Sequence, residues 1–180
     1  MSDRPTLVPL ECMRCKTPVP AEPDEVAWSC ATCEQGLLLD EGAGLRPITV
    51  HFAAGPESAE RIPFWVAAGH VRFTRRESYG ADSPPDARWA GPVRFVLPAF
   101  STGVEQAVAW GARLLRQPPD LRPGPAGPLR GVSVLPHEID ALARFVVITI
   151  EAERRDKLEA IEFYLDLEPP ELWCIPVEGA

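Results

Sequence analysis

The chain has 180 residues and a formal net charge of −8, long enough for one medium domain, or a small unit plus a larger one, with a real core. The acidic balance disfavours generic binding to nucleic acid or anionic membrane, because a phosphate-binding surface must be locally positive. The longest strongly apolar stretch, Phe145–Ile150, is far short of a membrane span. The opening MSDRPTLVPLEC lacks a signal-peptide core, so a cytosolic protein is expected.

Charge is unevenly spread. Residues 1–50 carry 8 acids and 4 bases, residues 51–131 carry 7 and 10, and residues 132–180 carry 11 and 4. The simplest reading is that the basic middle and the acidic C-terminal third face each other in one fold. The sharper reading is a basic patch around Arg72, Arg75 and Arg76. Sixteen Arg against two Lys, Lys16 and Lys157, together with abundant Ala, Pro and Gly, fit the codon bias of a GC-rich genome and say little about function.

Cys12, Cys15, Cys30 and Cys33 form a C-x2-C-x14-C-x2-C array. In a reducing compartment two matched C-x2-C pairs point to metal before disulfides. Each pair can form a knuckle that aims two sulfurs and several backbone N–H groups at one ion, and two strands are expected between the knuckles. Trp28, two residues before Cys30, is placed to cover the site. Pro18, Pro20 and Pro23 make residues 17–25 an irregular connection. The stretch resembles a rubredoxin-like zinc ribbon over about residues 10–46. The resemblance implies structural Zn2+ with all four positions filled by protein and none left for a substrate. Rubredoxin-type iron takes the same ligands, but nothing else in the chain suggests electron transfer. One departure is clear: Lys16 and Glu34 follow Cys15 and Cys33 where the family favours Gly, which tolerates positive φ. The fifth cysteine, Cys174, reads as a small buried hydrophobe.

Residues 1–46 are therefore assigned to the ribbon and residues 47–180 to an α+β domain dominated by antiparallel strands with two helices. Leu37–Leu39 is apolar, residues 41–44 turn, and Leu45–Phe52 alternates as a strand. Arg61–Arg76 reads as one bent strand or a hairpin. Phe64 and Trp65 are read as core rather than as an exposed anchor. Residues 80–91 form a loop, and Val93–Phe100 is a strand with Val93, Phe95 and Leu97 inward. Thr102 and Glu105 have the spacing of a capping box, followed by a helix to about Arg116 whose stripe is Val104, Ala107, Val108, Leu114 and Leu115. Residues 117–131 are a Pro-rich loop or linker. Pro136 suits the first turn of a short helix ending near Arg144, and Phe145–Glu153 then reads as a strand. Lys157–Glu168 alternates most clearly. Pro169-Pro170 is expected to turn the chain into a last strand, Leu172–Val177.

No H-E-x-x-H, G-x-S-x-G, Walker A or dinucleotide glycine pattern is present. Glu162, Tyr164, Asp166 and Glu168 alternate with core positions, so solvent exposure is expected, and no residue stands out as catalytic. Three functions follow in order. The first is a non-catalytic adaptor or accessory subunit of a multiprotein complex, acting through protein partners. The second is a nucleic-acid-binding accessory protein using the ribbon and Arg72, Arg75, Arg76, Arg88 and Arg94, with Phe73 and Trp89 as stacking platforms. The third is an enzyme using the acidic strand.

Overall fold

The computed structural model describes residues 10–40, 42, 44–56, 59–79, 84–129 and 131–177. Part of the predicted 41–44 turn, and residues 80–83 of the predicted 80–91 loop, lie outside them. Two sheets and two helices make a mixed α+β fold. A three-stranded antiparallel sheet carries the cysteine knuckles: β1 (Ala27–Ser29), β2 (Gly36–Asp40) and β3 (Gly44–Ile48). Between the knuckles there is one strand, β1, and not the expected two; β2 comes after the second knuckle. A short bridge between Glu11 and Pro18 takes the place of the missing strand.

The larger sheet is organised on β5 (Arg61–Tyr79), a single strand of 19 residues. One edge of β5 pairs with β6 (Val93–Pro98). The other edge pairs with β8 (Glu171–Pro176) near its start and with β7 (Lys157–Leu167) further on. β4 (Val50–Phe52) completes the sheet in parallel with β8. The expected turn at Pro169-Pro170 does not occur. β7 and β8 follow the same edge of β5 in one direction, with Gly69 opposite Leu167 and Val66 opposite Glu171. The prolines sit in a short irregularity that their missing N–H groups allow, and Glu168 N–H bridges it to the Ala68 carbonyl at 2.8 Å.

Both faces of β5 are covered in its first half. Trp65, Ala67 and Val71 belong to the main core, while Phe64 and Val66 pack with Val96, Trp173 and Ile175 on the other side. Phe64 and Trp65 are therefore core, and the Trp65 indole N–H donates to the Val134 carbonyl at 2.7 Å.

α1 spans Val104–Arg116 and α2 spans Ile139–Ala152. The strand expected over Phe145–Glu153 is in fact the second half of α2. Its run Phe-Val-Val-Ile-Thr-Ile is apolar at every spacing and does not discriminate between periods. The buried set Ile139, Ala143, Val146, Val147 and Ile150 recurs at three and four residues, and packing on the sheet selects the helix. The capping box at Thr102 is also absent. Gly103 is the N-cap without a side-chain bond, and the Thr102 hydroxyl donates to Gln106 Oε1 at 2.6 Å. The helix thus starts a residue later than the sequence suggested, and Val104 is left exposed. At Gly111 the helices meet closely, because a Cβ there would lie 2.6 Å from Val146 Cγ2.

The Pro-rich segment is a strap. Gly124 N–H donates to the Phe52 carbonyl at 2.7 Å, and Ala54 N–H donates to Arg122 at 2.8 Å. Leu129 and Val132 enter the main core. Val26 N–H then donates to the Val132 carbonyl at 2.7 Å, so the strap also holds β1. Ala27 and Leu38 lie in the same core as Trp65 and Ile139, so the cysteine-bearing sheet is packed against the larger one. No helix among the described residues is long and apolar enough to cross a membrane.

Candidate metal centre and a buried ion cluster

The two knuckles are built alike. In the first, Lys16 N–H donates to the Cys12 carbonyl and Cys12 N–H to Thr17; in the second, Glu34 N–H donates to Cys30 and Cys30 N–H to Gln35, all at 2.9 Å. Closing each turn requires positive φ at the residue after the second cysteine, and Lys16 (φ 61°) and Glu34 (φ 58°) adopt it without glycine. The departure from the ribbon pattern is therefore one of residue type, with the backbone geometry kept at a cost of about 1 kcal/mol per residue.

The four Sγ atoms lie within 4.8 Å of one another. Cys12 and Cys33 approach to 3.5 Å, and Cys15 and Cys30 to 3.4 Å. Metal–sulfur bonds of about 2.3 Å in a tetrahedron set sulfur separations of about 3.8 Å, so the donor set fits one four-coordinate ion. Trp28, Val19, Leu37 and Leu45 pack around the sulfurs. Trp28 is held by its indole N–H, which donates to Glu25 Oε2 at 3.0 Å, and Glu25 Oε1 accepts from Gly131 N–H of the strap at 2.9 Å. One carboxylate thus ties the wall of the site to the main domain.

The thiols are unequal. Hydrogen bonds with the Thr17 hydroxyl and the Thr17 backbone N–H hold Cys15 down to about 6, and the Cys15 backbone N–H lowers Cys12. The Gln35 backbone N–H favours the Cys33 thiolate, but burial and the neighbouring sulfurs push Cys33 up to about 12. Four adjacent thiols cannot all ionise in isolation, whereas a bound cation deprotonates its thiol ligands outright.

Sequence reasoning missed a second cluster. Glu151 on α2 is fully buried and accepts four hydrogen bonds: from Arg76 Nε at 2.6 Å, Trp89 Nε1 at 2.7 Å, Asp86 N–H at 2.9 Å and Arg154 Nη1 at 3.0 Å. Arg76 also pairs with Asp156 at 2.6 Å. Burial works against the Glu151 carboxylate, yet the Asp86 N–H, Arg76, Trp89 and Arg154 together hold it below the usual range. In sequence, Glu151 falls near the end of the strand expected over Phe145–Glu153, where no role was assigned to it. The available signal was the helical stripe, which places residue 151 on the buried face with residues 143, 147 and 150.

Of the arginines proposed as a phosphate surface, Arg72, Arg75 and Arg94 share one face of the large sheet, their direct partners being Tyr164, Glu162 and Ala68, while Arg76 lies on the other. Arg76 is buried with Glu151 and Asp156, Arg75 pairs with Glu77 and Glu162, and Arg88 pairs with Asp86. Trp89 is buried, Phe73 packs against Trp89 and Phe163, and Arg72 and Arg94 are exposed. The pairs of Arg75 with Glu162 and of Arg76 with Glu151 and Asp156 are the middle-to-C-terminal neutralisation that the charge distribution suggested, whereas Arg75–Glu77 and Arg88–Asp86 stay within the middle segment. Glu162, Tyr164, Asp166 and Glu168 are exposed, as the alternation of β7 implied. Cys174 is buried among apolar side chains, and burial pushes its thiol up to about 12. His51 stacks on Trp173 at 4.6 Å. The chain matches no family model, no curated protein and no solved structure.

Proposed function

We propose that the protein is a non-catalytic adaptor or accessory subunit that acts in the cytoplasm through protein partners, with structural zinc holding its ribbon. The observation that carries the reading is the four-sulfur cluster joined to the main core. With four protein ligands around one ion, no coordination position is left for a substrate. Because Ala27 and Leu38 enter the core beside Trp65, an ion at the knuckles stiffens the surface of the whole molecule. Zinc is preferred to iron because two C-x2-C pairs closing on one four-sulfur cluster are a common structural zinc donor set, although iron takes the same ligands.

A partner surface is supported by exposed apolar residues on the helices. Phe145 is 49% exposed, Ile148 36% and Val104 58%. Phe145 and Val104 line an open groove of about 480 Å³ between α1 and α2. Contiguous exposed apolar surface is a common mark of association.

The test is tagged purification from the native host at low salt, with and without nuclease, beside a Phe145→Glu variant of matched stability. The adaptor reading expects a stoichiometric protein that survives nuclease and is lost with Phe145→Glu. Partners that vanish with nuclease would put nucleic acid first. A lone protein would sink both readings and direct attention to an enzymatic role.

A further inference from the structure

β7 is an edge of the large sheet. It pairs with β5, and no strand or bridge among the described residues pairs with its other side. The edge at β4, by contrast, is capped by the strap, whose Gly124 N–H donates to the Phe52 carbonyl at 2.7 Å. A row of unpaired backbone N–H and C=O groups is a template for another strand, so edges are usually kept short or blunted by Lys, Pro or a bulge. β7 has such devices only at its ends. Lys157 and the bulge at Glu159 lie at its start, and Pro169-Pro170 follow its end. Residues 160–167 are left as a continuous edge without Lys or Pro.

The register fixes which backbone groups are free. Glu168 N–H donates to the Ala68 carbonyl, and antiparallel pairs alternate between bonded and non-bonded. Asp166 and Tyr164, opposite His70 and Arg72, are therefore bonded to β5. The N–H and C=O groups of Phe163, Leu165 and Leu167 point to the open side.

The side chains indicate what fits there. On the inner face Leu165 is buried, but Ile161, Phe163 and Leu167 are only half-buried, so an added strand with apolar residues on that side would extend the core. On the outer face Glu162, Tyr164 and Asp166 are exposed. Residues 157–168 hold one base, Lys157, and four acids, Glu159, Glu162, Asp166 and Glu168. Arg75 pairs with Glu162 at 3.4 Å, but no ion pair among the described residues takes Glu159, Asp166 or Glu168. Opposite charges on neighbouring strands stabilise and like charges destabilise. A second copy of β7 would set acid against acid, whereas a basic strand complements it. The Tyr164 ring, 65% exposed, adds a face for a cation.

We propose that the free edge of β7 takes up an extended, basic segment of a partner protein as an added strand. Phe163, Leu165 and Leu167 supply the backbone bonds, Lys or Arg of the partner lies beside Tyr164 and Asp166, and its alternate apolar residues cover Phe163 and Leu165. This rests on the adaptor reading for the existence of a partner, but the surface is separate from the groove between α1 and α2, which no residue of β7 lines.

The experiment titrates the full-length, metal-loaded protein with an end-capped synthetic peptide of about eight residues alternating Lys and Val, followed by amide chemical shifts and hydrogen exchange. Exchange should slow at Phe163, Leu165 and Leu167, whose N–H groups gain acceptors, and much less at Tyr164 and Asp166, already bonded to β5. An alternating Glu and Val peptide, and the Lys–Val peptide N-methylated at every residue, should each bind at least about tenfold more weakly. Asp166→Lys should weaken the Lys–Val peptide about threefold. Phe145→Glu should bind it unchanged, so a partner lost through the α1–α2 groove and a failure at this edge are told apart. Equal binding of either control peptide, protection elsewhere, or no binding at about 1 mM peptide would overturn the proposal. So would protection of the same three amides that rises with protein concentration and needs no peptide, which would place a second copy on the edge.

Discussion

Replacing Glu151 with alanine tests whether the buried cluster holds α2, β5 and the turn at residues 86–90 together. The substitution removes the acceptor for Arg76, Trp89, Asp86 N–H and Arg154 at once. Removing one partner of a buried ion pair costs about 3–5 kcal/mol, because the other charge stays buried and uncompensated. Arg76, with its side chain 3% exposed, cannot turn to water, but Asp156 still pairs with it at 2.6 Å. That remaining pair places the expected loss near the lower end, about 3 kcal/mol. In urea, with a slope of about 2 kcal/mol per molar, the midpoint should fall by about 1.5 M. A cycle with Arg76→Met should show a coupling of about 1–3 kcal/mol. Acid adds a second readout. Glu151 is held below its ordinary value when folded, so its contribution is present above the unfolded value, 4.5, and is lost as pH falls through the folded one. The variant should therefore lose part of the acid sensitivity of the native protein below pH 4.5. A midpoint shift below about 0.3 M with an unchanged acid limb would refute a stabilising role for the cluster.

Three further outcomes are expected. Stripping the metal with a strong chelator should melt residues 10–46 and, because Ala27 and Leu38 belong to the main core, lower the melting temperature of the remainder; an unchanged main transition would show the two parts to be uncoupled. Cys30→Ser should reduce bound zinc measured by elemental analysis, while Cys174→Ser should leave it unchanged. Lys16→Gly and Glu34→Gly should each raise stability by about 0.5 kcal/mol in denaturant titrations, the relief of positive φ being partly offset by glycine's greater freedom in the unfolded chain.

The parts of the fold that were legible in sequence are those whose signal is local. Two C-x2-C pairs announce a cluster because the ligands of each knuckle lie within one turn. β7 announces itself through Ile161, Phe163, Leu165 and Leu167 alternating with exposed Glu162, Tyr164 and Asp166. What stayed hidden depends on partners far along the chain. The strap over residues 117–131 looks like a linker because its hydrogen bonds reach back to Phe52 and Ala54. Glu151 carries no signal of its own in the sequence until Arg76, 75 residues earlier, is seen beside it.

The second half of α2 makes the same point in a form that can be measured. Its apolar run is read as strand or helix equally well, and the choice falls to the surface waiting for it, in part the gap that Gly111 leaves on α1. A methyl group at Gly111 would meet Val146 Cγ2 at 2.6 Å and Leu97 Cδ2 at 2.7 Å. In an isolated helix Gly→Ala favours helix by about 1 kcal/mol, whereas forcing one carbon into a packed interface costs about 1–3 kcal/mol. If helix contact specifies α2, Gly111→Ala destabilises despite its better propensity, by about 1 kcal/mol net. The deeper cut at Val146→Ala in the same background should recover part of the loss, since it removes the clashing methyl groups. Stabilisation by Gly111→Ala alone would mean that the crossing is looser than drawn, and that local preference, not the fit against α1 and Leu97, decides how residues 145–152 fold.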